Sequence, residues 1–225
     1  MLKEIGHNLQ FEALRVGLNP PHDTSDSIEY LYSYTLEGDR RWSNLLSYFA
    51  FMKDEQPDAL LIGEAPGYRG TSVSGMPFLS EGMIKQRRDN GLRLPFTKYD
   101  HSASYDDVSG YEATSTVMWD ALDAESIKLP LLWAVFPNHP HLIGDVMSNR
   151  KPTRKEISAY IGLTRLLLEI FNIKHVVAVG NVAYDTLTAN TDYTVVKLRH
   201  PARGGARQFR EGLHNFMETT YGSRA

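Results

Sequence analysis

Four short apolar runs, each cut off by a glycine, a proline or a His-Pro pair, constrain this chain most. Residues 58–62 (DALLI) stop at Gly63, and residues 128–136 (KLPLLWAVF) stop at Pro137. Residues 174–179 (KHVVAV) stop at Gly180-Asn181, and residues 193–198 (YTVVKL) stop before Arg199-His200-Pro201. Continuous apolar, β-branch-rich runs of this length predict strands buried on both faces, as in a parallel sheet. Helical patterns lie between them. Over residues 41–52, Trp42, Leu45, Leu46, Phe49 and Met52 fall on one helical face. Thr153-Arg154-Lys155-Glu156 is a capping box, opening a helix expected to run to about Phe171. Asn181 is expected to cap a helix through Leu187, and residues 205–220 read as a C-terminal helix. Strands alternating with helices predict a doubly wound α/β sheet. Ligands of such sheets bind at the carboxyl ends of the strands, so the loops after Ile62, Phe136, Val179 and Leu198 are the ones to search.

The length, 225 residues, suits one domain over 1–225, with an irregular N-terminal extension over about residues 1–37 that turns at Asn19-Pro20-Pro21. There are no cysteines, which excludes disulfides, thiolate metal sites, cysteine nucleophiles and a cysteine-ligated iron–sulfur cluster. No run is long and apolar enough to span a bilayer. The opening stretch MLKEIGHNLQFEALRVG lacks the uninterrupted core of a signal peptide, so a cytoplasmic protein with no membrane partner is expected. Net charge is -3 and the pI about 6.2, so any nucleic-acid contact must come from local basic patches.

The first candidate loop is Gly63-Glu64-Ala65-Pro66-Gly67-Tyr68-Arg69-Gly70. Its small residues let backbone N–H groups approach a ligand, yet it is neither a phosphate-binding loop with Gly-Lys-Ser/Thr nor a dinucleotide fingerprint. A plain strand-to-helix turn with a solvated Glu64 fits it equally. Residues 72–81 follow, with Ser72 and Ser74 as phosphate donors and Phe78 either a stacking platform or a core aromatic. In Pro137-Asn138-His139-Pro140-His141 two imidazoles could meet one metal ion, but no acidic ligand stands near. Asn149-Arg150-Lys151-Pro152 reads as a charged, solvated helix entry. Arg199-His200-Pro201-Ala202-Arg203-Gly204-Gly205-Ala206-Arg207 suits phosphates or a DNA groove, or is a basic surface turn.

Taken in order, these motifs carry a resemblance. GEAPG after a strand, Gly75-Met76-Pro77-Phe78, Asn149-Arg150-Lys151-Pro152-Thr153, the VAVGNVA strand-turn-helix and the terminal His200-Pro201 resemble the uracil-DNA glycosylase superfamily. The branch most similar is the one whose first motif is GEAPG. Residues 63–81, 133–156 and 199–209 look like a bacterial subgroup without the iron–sulfur cluster, and the likeness covers residues 58–213. Gly17-Leu18-Asn19-Pro20 resembles the first motif of other branches, but no apolar strand precedes it.

The resemblance implies a three-layer αβα sandwich with a central parallel sheet of about four strands. It implies excision of a flipped deaminated base from DNA, uracil first, in base-excision repair, by a monomer needing no metal or cofactor. Glu64 would orient the attacking water, and His200 would stabilise the negative charge on the departing base. The backbone around Ala65 and Pro66 would contact the base, and Phe78 would stack on it. Arg203-Gly204-Gly205 would enter the duplex, and Ser72, Ser74 and Arg207 would contact phosphates.

Two positions depart from the family pattern. The base-reading asparagine falls on Ala134, whose methyl group cannot pair with uracil; Asn138 is the substitute at hand. Gly67 stands where strict uracil enzymes set a bulky side chain against the base's C5, leaving Tyr68 to swing in. Hypoxanthine or xanthine excision, or DNA or nucleobase binding without catalysis, are therefore the alternatives. A metal-dependent hydrolase built on His139 and His141 is a third.

Overall fold

The computed structural model describes residues 2–19, 25–100, 112–125 and 128–222. In chain order the elements are α1 (Leu2–Leu18), β1 (Ile28–Glu29), α2 (Leu36–Glu55), β2 (Ala59–Gly63), α3 (Thr71–Ser74), α4 (Glu81–Asp89) and α5 (Ala113–Glu125). They continue with β3 (Leu131–Ala134), β4 (His139–Pro140), α6 (Arg154–Ser158), α7 (Ile161–Ile170), β5 (His175–Val179), α8 (Asn181–Asn190), β6 (Val195–Leu198) and α9 (Ala206–Tyr221).

The four apolar runs form one parallel sheet in the order β3-β2-β5-β6, with Gly63 opposite Ala134 and Val179 opposite Leu198. All the strands therefore deliver their following loops to one edge. β2 is buried along its whole length and β5 over all but its first residue. β6 is different. It is an edge strand with the neighbouring residues Val196 and Lys197 both exposed, so its apolar run is not buried on both faces. Two groups of helices flank the sheet. In one, Phe49 of α2 stacks on Phe11 of α1 with ring centroids 5.2 Å apart and tilts against Trp133 of β3 and Phe171. In the other, Arg87 of α4 is ion-paired with Asp123 of α5 at 2.6 Å, and α5 packs on α9. Among the described residues no helix is long and apolar enough to cross a membrane.

The N-terminal stretch is not irregular. α1 buries Leu14 and Leu18 completely. Arg15 then ties the helix to the body, donating to Tyr32 O and Ser33 O and pairing with the Asp39 carboxylate. Phe11, Leu14 and Leu18 recur at helical spacing, the signal that marks this helix in the sequence. Of the turn expected at Asn19-Pro20-Pro21, the two prolines lie outside the described residues. The helix expected from the Thr153 capping box breaks in two. The box forms, with Thr153 Oγ1 accepting from Glu156 N and Glu156 accepting from Thr153 N. Yet α6 ends at Ser158, and the break lets Tyr160 turn inward, edge-on to Phe136 with its hydroxyl 3.1 Å from Asn138 Nδ2. Asn181 does not cap α8. Gly180 does, at φ 95, a left-handed conformation that glycine adopts without strain.

Candidate active site

A cleft of about 950 Å³ opens at the carboxyl ends of the sheet strands. It is lined by the strand ends themselves: Ala134 from β3, Glu64 just past β2, Val179 from β5 with Gly180 just past it, and Leu198 from β6. The β2–β3 ladder runs one step beyond the strands, with Val135 N donating to Gly63 O and Phe136 N to Glu64 O, both at 3.0 Å. The backbone carrying Glu64 is thereby fixed by sheet hydrogen bonds, although its side chain stands in the cleft.

Phe78 lines the cleft in a strained position. Its φ is 53, in the left-handed region that costs a non-glycine residue about 1–2 kcal/mol. Two hydrogen bonds hold it there: Phe78 N donates to Thr71 Oγ1 at 3.2 Å, and Trp119 Nε1 donates to Phe78 O at 2.9 Å. The ring lies so close to β2 that a Cβ on Gly63 would stand 2.5 Å from its Cζ. Gly63 must therefore lack a side chain for the ring to reach the strand end.

His200 lines the same cleft from the loop after β6, packed against Gly180. Ala202 N donates to its Nδ1 at 3.1 Å, so the neutral ring carries its proton on Nε2. Burial, with the nearby Arg199 and Arg203 cations, lowers the imidazolium pKa below its usual value. The ring is thus kept neutral, with one N–H to offer. Glu64 is shifted the other way. Burial raises its carboxyl pKa, opposed by the Lys151 and Arg203 charges. An acid pushed up and an imidazole pushed down, in one cleft, form the pairing expected of a proton-handling site.

Other expected residues divide sharply. Ala65, Pro66, Gly67, Ala134 and Arg203 line the cleft. Pro66 brings no N–H, so only Ala65 and Gly67 have backbone donors there. Tyr68 does not line it; its ring lies under the Arg69 guanidinium at 5.1 Å. Asn138 is fully buried away from the cleft. Its Oδ1 accepts from Leu31 N at 3.0 Å, and its Nδ2 donates to Leu18 O and contacts the Tyr160 hydroxyl. With its amide committed to Leu18, Leu31 and Tyr160, Asn138 presents no free group to the cleft, against the expectation that it reads the base. Ser72 and Ser74 are buried too, donating to Gly67 O at 2.7 Å and Leu79 O at 2.5 Å. Their hydroxyls hold turns and are turned to backbone carbonyls. Gly204 stands in open space at φ 76, whereas Gly205 is buried against His200 O. Arg207 is exposed beside Glu211 at 3.8 Å and lies outside the cleft.

The His-x-His pair is structural. His139 Nδ1 lies 3.0 Å from Pro66 O and its Nε2 3.1 Å from Val146 O, while His141 Nδ1 lies 2.8 Å from Leu142 O. Ring nitrogens turned to carbonyls do not converge as ligands, and among the described residues no cluster of His, Asp or Glu forms a metal site. Arg150 is no solvated entry residue: it donates to His141 O, to Ser27 and to Glu156 at 2.7 Å. That guanidinium, chiefly, holds the Glu156 carboxyl down to about 2.

One cleft residue had no motif to announce it. Glu112 is a largely buried acid, hydrogen-bonded by Ser115 Oγ at 2.8 Å and raised in pKa by burial. A Cβ at Gly70 would fall 2.1 Å from its Oε2, and one at Gly67 2.9 Å from its Oε1. The glycines of the first loop make room for this carboxyl group. Only a fold could bring the two segments together, since nothing in Glu112-Ala113-Thr114-Ser115 marks it. Asn149 belongs to the Asn149-Arg150-Lys151-Pro152-Thr153 run, with no role of its own expected from the sequence. It lines the cleft, and its Oδ1 accepts from Tyr68 N at 3.1 Å.

The cleft at the carboxyl edge of this parallel sheet thus brings together an acid, an aromatic ring and a histidine from three different loops. The profile of the Uracil DNA glycosylase superfamily matches residues 49–219. The chain belongs to that superfamily. Among solved structures, the wild-type SMUG2 of Pedobacter heparinus superimposes with a TM-score of 0.62, covering 95% of this chain and 98% of that one at 13% identity. That likeness is one of fold. A sequence comparison with curated proteins finds no match.

Proposed function

We propose that the protein hydrolyses the N-glycosidic bond of a deaminated base, uracil first, extruded from DNA into the cleft. The observation that carries this reading is the convergence of Glu64, Phe78 and a neutral, Nε2-protonated His200 on one cleft. In the proposed reaction the base stacks on Phe78, which contributes about 1–3 kcal/mol toward its extrusion. Glu64, as carboxylate, orients a water and takes its proton as the oxygen bonds to the sugar carbon. The glycosidic electron pair leaves with the base, and the His200 N–H donates to the carbonyl oxygen on which the negative charge collects. Lys151, Lys197, Arg199 and Arg203 line the cleft as exposed cations, which suits a phosphate backbone despite the acidic pI.

Ala134 favours a second reading. With a methyl group at the reader position and Asn138 committed to the core, uracil recognition would fall to another amide, such as Asn149 Nδ2. The room beside Ala134 equally suits a larger deaminated base, hypoxanthine or xanthine. The test incubates the protein and Ala134→Asn with oligonucleotides carrying one uracil, hypoxanthine or xanthine, then reveals abasic sites with alkali. Strand breaks at uracil with the native protein support the first reading, and breaks only at a purine the second. Silence on all three, with salt-dependent DNA binding retained, would leave a binding protein.

A further inference from the structure

Four of the large apolar side chains that the described protein exposes sit within six consecutive residues: Leu142, Ile143, Val146 and Met147, at 56%, 78%, 55% and 54% exposure. They occupy a tight turn between β4 and α6, at the β3 edge of the cleft. Apolar groups so concentrated on a loop are a costly display for a soluble surface unless something covers them.

The turn is stiff. Leu142 pairs across it with Asp145, and Asp145 N donates to Leu142 O at 3.0 Å. Ser148 Oγ accepts from Leu142 N and donates to Asp145 O, at 2.8 and 2.7 Å. Asp145, the one acid in the turn, has its carboxylate folded back onto Met147 N at 3.1 Å. The base of the turn is gripped by His141 at Leu142 O and by His139 at Val146 O. Its tip is free of the protein body: Gly144 stands at φ 78 with nothing within 4 Å of a Cβ placed there.

The turn is also joined to the cleft. The His139 ring that holds Val146 O faces Pro66 O in the cleft wall, and Asn149, Arg150 and Lys151, which line the cleft, follow directly in the chain. An apolar tip projecting from a rim that carries exposed Lys151 matches one partner chemistry: a nucleic-acid duplex, with phosphates outside and stacked bases within. We propose that residues 142–147 form a wedge that enters the duplex from the β3 rim, Ile143 foremost, unstacking the base step beside the extruded nucleotide. This rests on the reading of the cleft as a site for an extruded base. It adds a second inserting element opposite the Arg203-Gly204 loop.

The experiment compares the full chain with the double variant Ile143→Ser, Val146→Ser, whose sites are exposed and whose melting temperature should be unchanged. One arm measures excision of uracil from duplex and from single-stranded oligonucleotides. The wedge predicts a loss of roughly 10- to 100-fold on the duplex and little change on the single strand, since only paired bases need unstacking. Equal losses on both, or none on either, overturn it. The second arm needs no catalysis. A duplex with 2-aminopurine beside an abasic analogue is titrated with each protein at low salt. A fluorescence rise with the native protein that the variant lacks supports the wedge. No rise with the native protein, or the same rise with both, overturns it and leaves the turn to a protein partner. Failure of excision by the native protein alongside a variant-sensitive rise would count against the glycosylase reading and not against the wedge.

Discussion

At one edge of the sheet, the chain after β3 is held by buried side chains: Asn138, His139 and His141 hydrogen-bond to backbone on both sides, and Arg150 spans Ser27 and Glu156. At the other edge, the chain after β6 carries Arg199, Arg203 and Arg207 and is held mainly by Ala202 N on His200 and Gly205 N on Ala202 O. Two of its residues, Arg203 and Gly204, have positive φ. The contrast separates two jobs that the motifs run together. The β3 edge spends its polar groups on the fold and shows apolar side chains outward. The β6 edge spends little on the fold and leaves its charges and one imidazole free to act.

The largest expected effect lies at the β6 edge. His200→Ala should lower the excision rate by about 100- to 1,000-fold, the usual cost of removing a donor to developing negative charge, with DNA affinity kept. Single-turnover kinetics check it; a loss below tenfold would mean the ring is not the donor. Next come stability changes confined to the β3 edge. Asn138→Ala leaves buried partners unpaired and should destabilise by about 1–3 kcal/mol in urea unfolding. Arg203→Ala should leave unfolding unchanged and instead lower the salt slope of DNA binding by about 1. If the two variants exchange these phenotypes, the division of labour is wrong.

The pH profile sharpens the contrast further. In the proposed reaction Glu64 serves as carboxylate, and burial raises its pKa, so activity should begin to fall on acidification at a pH above 4.5, the ordinary glutamate value. In the same proposal His200 serves as a neutral donor, and its pKa is lowered, so its protonation should add a second loss only below pH 6.5. A rate that stays flat down to the ordinary glutamate pKa contradicts the role of Glu64. The smallest effect expected is that of Ser72→Ala. Removing its bond to Gly67 O should cost about 1 kcal/mol of stability and leave DNA affinity unaltered, the reverse of a phosphate contact.

The sheet was legible because its strands are apolar runs ended by abrupt breakers, and the resemblance pointed to Glu64, Phe78, Ala134 and His200, all of which line the cleft. What the sequence hid depends on side-chain direction. A serine that caps a turn and a serine that binds phosphate look alike until the hydroxyl's partner is seen, and so it was with Ser72 and Ser74. Asn138 lies one residue from His139 in a loop that reads as polar and exposed, yet its amide joins α1 to the core over 120 residues of chain. Glu112 needs the fold to reach Gly67 and Gly70. α1 falls in the stretch expected to be irregular, because the charges set between Phe11, Leu14 and Leu18 mask the spacing of an amphipathic helix.

The most direct test of the central claim is single-turnover incubation of the native protein and His200→Ala with a uracil-containing duplex, followed by alkaline cleavage. The account predicts abasic sites with the native protein and at least a hundredfold slower formation with the variant. Equal rates in the two proteins, or no abasic sites from the native protein on uracil, hypoxanthine or xanthine at stoichiometric concentration, would contradict it.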